Sequence, residues 1–350
     1  MDDTLRRCLD DLEARLDSAE EGRLLLAWHD FAAGEFHGDL FAPRRSTPNP
    51  PGVDWPRVRV NAALEDFDAM ALQQFGGCSA QLASAGGLLL GVRCNYGSSI
   101  LPLLFGVEPF VMDEALDTLP TSRPLHDTDA IRAVVDAGVP DLRTGYGARV
   151  LEMGERYAEI AGQWQQIGHW VDVYHPDLQG PLDVAEVVWG SPVFYALYDE
   201  PELVKALLDL VVATYTAFLR AWQAIIPPRR DGATHWGLFH HGRIMLRDDS
   251  AMNLSPSQFD EFIGPYDQQL LDTFGGGAIH FCGRGSHYID RVGRMRGVHA
   301  VNLTQPEHND METIFAHTVD RGIRLLALPR AAAEAALTAG RELRGCVHVG

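Results

Sequence analysis

The segment His280-Phe281-Cys282-Gly283 sets an imidazole and a thiol two residues apart. In an extended strand, residues i and i+2 project to the same side, so His280 and Cys282 would face one space as a pair of soft ligands. Cys346, in what reads as the last strand, is a candidate third ligand. A His-Cys-Cys set suits tetrahedral zinc with one open position. A metal held in this way lowers the pKa of a bound thiol and presents it as a thiolate nucleophile. The plainer reading of H-x-C is a hydrogen-bonded core histidine beside a small buried hydrophobe.

Other polar groups stand just after apolar runs. Asp248 and Asp249 follow Ile244 to Leu246. Two carboxylates a few ångströms apart share a proton or bind a cation, because both cannot ionise cheaply. Neighbours on a strand point to opposite sides, so at most one of the two enters a given site. Asp249, Asp248 and His175 are the candidates for catalytic work, against the alternative of a helix cap or a strand-to-helix turn. Asp177, two residues beyond His175, could hydrogen-bond a substrate. Arg93, with Asn95 and Tyr96, offers a planar fork for a carboxylate, against the alternative of a surface ion pair. His240, beside His241, and Gln305 with Glu307 complete the candidate substrate contacts. His29, Asp30, Asn302 and His348 occupy similar positions.

Those positions acquire meaning from the elements that carry them. Apolar runs at 24–28, 88–92, 170–174, 235–239, 278–281, 298–303, 323–328 and 346–349 alternate with helical spacing at 3–19, 58–75, 201–223 and 256–273. Such alternation implies parallel strands with right-handed crossovers. About eight units would close an α/β chain as a (β/α)₈ TIM-type barrel, with polar residues converging at the C-terminal mouth. The competing architecture is an open doubly wound sheet, but no strand is followed by G-x-G-x-x-G, so NAD is not expected. Residues 1–350 read as one domain, with an N-terminal helical extension over 1–23 and a Pro-rich excursion over 42–55.

Composition narrows the function classes. The chain has 350 residues, 46% of them hydrophobic, and a formal net charge of -19. That charge repels nucleic-acid backbones and anionic membrane surfaces, and no apolar run approaches the roughly 18 residues of a membrane span. Lys205 is the sole lysine and lies on an amphipathic helix face, so neither Schiff-base chemistry with PLP nor a phosphate-gripping P-loop is expected. The charged start, MDDTLRRCLDDLEARLDSAEEG, has no apolar signal region. Five dispersed cysteines suit a reducing, cytoplasmic setting. G-x-S-x-G, H-E-x-x-H and C-x-x-C are absent.

Taken in order, several stretches resemble the uroporphyrinogen decarboxylase superfamily. They are Gly180-Pro181, Asp199-Glu200-Pro201-Glu202-Leu203-Val204, Asp248-Asp249, Leu254-Ser255-Pro256 with Phe259 and Phe262, Pro265-Tyr266, and His280-Phe281-Cys282-Gly283. The resemblance covers roughly residues 85–350 and implies a (β/α)₈ barrel. The decarboxylase branch carries an arginine-rich N-terminal signature for porphyrin carboxylates. Here the corresponding LLLAWHDFAAGEFHGDLFAPRR has only Arg44 and Arg45. The zinc- and corrinoid-dependent methyltransferase branch, with H-x-C and a distal Cys, is the closer match. It implies zinc on His280, Cys282 and Cys346, and methyl transfer to a thiol of a small-molecule substrate from a corrinoid protein or a small donor. A homodimer is compatible with the class. The alternatives are a metal-free decarboxylase or lyase, and a non-catalytic metabolite-binding barrel.

Overall fold

Every residue of the runs Ile244–Arg247, Gly277–Phe281 and Val347–Val349 is buried. Strands buried along their whole length belong to parallel sheets covered on both faces, and that is what forms. The computed structural model describes residues 1–350. Its strands are β1 (Gly91–Val92), β2 (Glu108–Phe110), β3 (Thr121–Arg123), β4 (Asp172–Val173), β5 (Ala233–His235), β6 (Leu238–His240), β7 (Ile244–Arg247), β8 (Gly277–Phe281), β9 (Val298–Leu303), β10 (Arg324–Leu328) and β11 (Val347–Val349). A five-stranded parallel sheet runs β11-β10-β9-β8-β7, and β1 pairs in parallel with β4 as a separate two-stranded sheet. Two antiparallel hairpins, β2–β3 and β5–β6, complete the set. Phe41 extends the larger sheet by a parallel bridge to β11, its N–H donating to the Val347 carbonyl at 2.9 Å. No ladder joins β4 to β7, so the strand pairing defines a mixed α/β fold with parallel sheets and not a continuous ring.

The pleat sorts the core into two parts. One face of the sheet packs against surrounding helices in the main apolar cluster, with Ile244, Ile279 and Val301 among its members. The other face carries Met245, Ala278, Ala300 and Leu326, which pack with Leu24, Trp28 and Phe31 of the helix Ser18–Ala33 and with Leu238 and Phe239 of the β5–β6 hairpin. One pleat further toward the strand C-termini, the same face carries Arg247, His280 and Asn302 in lateral register. An apolar floor thus gives way to a polar rim along each strand.

Several elements depart from the sequence expectation. Leu24–Trp28 is helical and not a strand, because Leu24, Trp28 and Phe31 fall on one buried helical stripe. The run 235–239 is bent into the β5–β6 hairpin, whose central residues Trp236 and Gly237 both have positive φ (51° and 77°). That is the primed-turn geometry of tight hairpins. The expected N-terminal helix is two, Asp3–Arg15 and Ser18–Ala33, divided by Asp17, which caps the second. The 42–55 excursion contains no helix or strand, but it is tethered. Arg45 forms a buried ion pair with Glu21 at 2.6 Å and donates to the Leu88 carbonyl. No helix is long and apolar enough to cross a membrane.

Removing one partner of a buried ion pair strands the other charge, typically costing about 3–5 kcal/mol. Arg45→Ala is therefore expected to lower unfolding free energy by about that amount in urea titrations. The double variant Glu21→Leu, Arg45→Met should recover much of the loss.

Candidate metal centre and active site

The site assembles where β7, β8 and β9 end. His280 is the fourth residue of β8, and Cys282 follows that strand on the same side. Asp249 follows β7 and opens the 3₁₀ turn Asp249–Asn253. His280 Nε2 lies 3.6 Å from Cys282 Sγ and 3.7 Å from Asp249 Oδ1. The three ligand atoms all fall within 4.8 Å of one another. Bonds of about 2.0–2.3 Å to a tetrahedral ion imply ligand separations of roughly 3.3–3.8 Å, so both distances to the imidazole are already those of a chelate.

Neighbouring groups aim each ligand inward. His280 Nδ1 lies 2.7 Å from Asn302 Oδ1, and the Asn302 amide donates to the Leu326 carbonyl at 2.7 Å. The amide is thus oriented with its oxygen toward the ring, so Nδ1 carries the proton and the Nε2 lone pair faces Cys282 and Asp249. A carbonyl-type partner on the second nitrogen is the usual support for a metal-bound imidazole. Burial holds the His280 pKa below its ordinary value despite Asp249 and Asn302, which keeps the ring in the neutral, ligating form. The Cys282 N–H donates to Asp249 Oδ1 at 2.7 Å, and Thr304 donates to Cys282 Sγ at 3.2 Å. Burial raises the Cys282 thiol, the Thr304 hydroxyl opposes that, and Asp249 adds to it. A cation between the ligands reverses this balance by favouring the thiolate.

Cys346 does not join this group. It immediately precedes β11 and accepts from Arg324 Nη1 at 3.1 Å, at the first residue of β10. His280 and Cys282 stand at the opposite ends of parallel strands, so the fold separates the thiols by the length of the sheet. Asp249 instead supplies the third potential ligand atom beside His280 and Cys282. All five cysteines are unpaired, and Cys282 alone is partly exposed.

The other expected site residues divide in the same way. Asp177 accepts charge-assisted hydrogen bonds from both Arg93 and Arg247. Arg93 thereby commits one guanidinium nitrogen to Asp177. Burial opposes ionisation of Asp177, but Arg247 and Arg93 more than offset it and hold the carboxyl below its ordinary range. The Arg247 guanidinium lies 4.9 Å above the Trp236 ring, which contacts His280 edge-on at 5.1 Å. This joins the ionic cluster to His280. Gln305 accepts from the Gly283 N–H at 2.6 Å and anchors the loop after Cys282. Glu307 is exposed on the next turn.

His175 is engaged on both ring nitrogens by the backbone. Its Nδ1 donates to the Pro176 carbonyl at 2.6 Å, its Nε2 accepts from the Met245 N–H, and burial pushes its pKa down to about 3. His240 is likewise buried, set between His235 Nδ1 at 2.9 Å and the His241 carbonyl. Asp248 points away from Asp249, as adjacent residues must, into a buried group with Asp267, where burial raises both carboxyls, with added repulsion from Asp267 and Asp249 on Asp248 and from Asp183 on Asp267. Asn95 bonds to Gln73, and Tyr96 is buried against Tyr146 in the helical layer. None of these five lines the centre.

Sequence reasoning missed Asp183 and Glu186. Asp183, in the helix Pro181–Trp189, accepts the Asp249 and Ser250 N–H groups at 2.8 and 2.9 Å, and Glu186 accepts from the Ser250 hydroxyl. The available signal was a lone carboxylate inside the buried run Leu182, Val184, Ala185 and Val188. Beside them opens a polar cleft of about 510 Å³, which includes Asp249 and is lined by Ser98, Ser122, Gln179 and Glu186 among others, with no arginine or lysine. Ser122 Oγ and Gln179 Oε1 are buried there without partners.

The sequence matches no protein-family model and no curated protein. The fold is similar to that of a methyltransferase from Methanosarcina mazei, with a TM-score of 0.65 at 16% identity over 92% of this chain and 91% of that one. At that identity the likeness establishes the shared fold.

Asp177→Asn is expected to destabilise by about 3–5 kcal/mol at neutral pH, because two guanidinium groups lose their counter-charge. The folded carboxyl titrates below its unfolded value of roughly 3.9, so its contribution is full above that value and fades as pH falls through the folded one. Denaturation curves of the variant and parent should therefore converge in acid. A constant gap down to the acid limit would contradict the ionic role.

Proposed function

We propose that the chain is a metal-dependent methyltransferase in which a zinc ion activates a thiol. The observation that carries this is the convergence of His280 Nε2, Cys282 Sγ and Asp249 Oδ1 within 4.8 Å of one another. The likeness to a methyltransferase structure supports the same class. When bound, the metal would supply Lewis acidity that stabilises a substrate thiolate at its fourth position. The residues of the chain do the remainder. Asn302 fixes the imidazole tautomer, and Asp183 and Gln305 hold the loops after β7 and β8. The Arg247–Trp236 pair walls the side next to His280. The S–C bond forms as the donor–methyl bond breaks, with the bonding pair remaining on the donor. That donor is a methylated corrinoid protein or a small methylated molecule. We further propose that the strand ends, with the Phe41 segment, act as an eight-strand barrel whose mouth is the reaction site.

The polar cleft beside Asp249 would hold the substrate. Its lining is rich in carboxylates and hydroxyls, and it contains no arginine or lysine. It therefore fits a thiol whose other end donates hydrogen bonds better than one ending in a carboxylate.

Purified protein is expected to hold about one zinc per chain by elemental analysis. Cys282→Ala and His280→Ala should each reduce binding at least tenfold, whereas Cys346→Ala should retain it. Equal zinc content in the parent and the Cys282 variant would refute the centre. Full zinc occupancy with no methylation of any thiol would refute the reaction and leave the centre standing.

A further inference from the structure

Arg243 immediately precedes β7, at the end of the sheet opposite the metal ligands. It lines a half-open cavity of about 90 Å³ together with Arg229, Arg230, Asp172, Thr234 and Trp222. By the ~10–15 Å³ that a single water requires on this measure, the space suits a small polyatomic ion. Three arginines face one carboxylate here, in a chain whose net charge is -19.

That carboxylate is already saturated. Asp172 Oδ1 accepts from Arg229 at 2.6 Å and also from Arg230, while Oδ2 accepts from Thr234 at 2.8 Å. Arg229 and Arg230 spend further donors on the backbone carbonyls of Val171 and His169. Arg243 has no counterpart. It enters no ion pair, and its Nη1 is buried without any hydrogen-bond partner. Arg243 is half-buried and carries no counter-charge, and its fork is shaped to take an oxyanion by two parallel N–H bonds. The Trp222 ring forms an apolar wall on the same cavity.

We propose that this cavity, at the pole opposite the metal centre, is a binding site for a small oxyanion, a phosphate group or a carboxylate, with Arg243 as its principal ligand. The site is independent of the proposed methyl transfer, since it shares no residue with the metal ligands or the polar cleft.

The test is calorimetric titration of the full chain with inorganic phosphate and, separately, with succinate, each at fixed ionic strength. Saturable binding of at least one is expected. Phosphate alone would identify a phosphoryl ligand, and succinate alone a carboxylate. Arg243→Met should weaken binding at least tenfold, Arg243→Lys should restore part of it, and Arg294→Met, on the exposed surface, should change nothing. Because Arg243 has no partner to lose, the melting temperature of Arg243→Met without added anion should equal or exceed that of the parent, which separates a lost ligand from a lost fold. The Cys282→Ala variant should bind the anion as the parent does. The absence of saturable binding of both anions, or undiminished binding by Arg243→Met, would overturn the proposal.

Discussion

One carboxylate, Asp177, holds the two parallel sheets in relation to each other. No strand ladder connects β4 to β7, so backbone hydrogen bonding cannot set their spacing. The segment 175–180 substitutes for a ladder: the Gly180 N–H donates to the Arg247 carbonyl at 2.9 Å, and Arg247 donates to the Leu178 carbonyl. Asp177 then draws Arg93, after β1, and Arg247, at the end of β7, onto a single pair of oxygens. Charge-assisted contacts of this kind are short and directional, and burial protects them from screening by salt. The polar rim touches this cluster through Trp236, which packs against Arg247 on one side and His280 on the other.

The legible part of the sequence was the part governed by local periodicity. His280 and Cys282 share a side because strand geometry has a period of two, and β8 obeys it. Asp249 could be preferred over Asp248 only once one of them was seen to turn inward, since the rule that they diverge does not say which enters. Leu24–Trp28 was misleading because a five-residue apolar run is compatible with either a strand or one stripe of a helix. The absence of Cys346 from the centre was not legible. Spacing along a chain does not reveal which end of a parallel strand a residue occupies when the strand begins immediately after it. The pairing of Arg93 with Asp177 was not legible, because it depends on a partner 84 residues away.

The carboxylates around the centre show how burial differentiates a single side-chain type. Asp183, Asp248 and Asp267 lie in the interior, where burial first and then mutual repulsion hold them well above the ordinary range, toward the neutral acid. Asp249, by contrast, keeps its side chain 45% exposed beside the imidazole. Gly180 fits closely over this acidic layer, since a Cβ there would collide with Asp248 Oδ1. A bare backbone at the entrance to the helix Pro181–Trp189 is therefore what lets Asp183 reach the turn that carries Asp249.

The unequal exposure of the sulfur atoms has a practical side. Four thiols are enclosed, and only the one beside the imidazole meets solvent. Toward a bulky alkylating reagent, a five-cysteine chain thus behaves as though it had a single reactive sulfur. A fluorophore or spin label could be installed at the mouth of the fold without removing any other cysteine, and a bound cation would shield that position from the label.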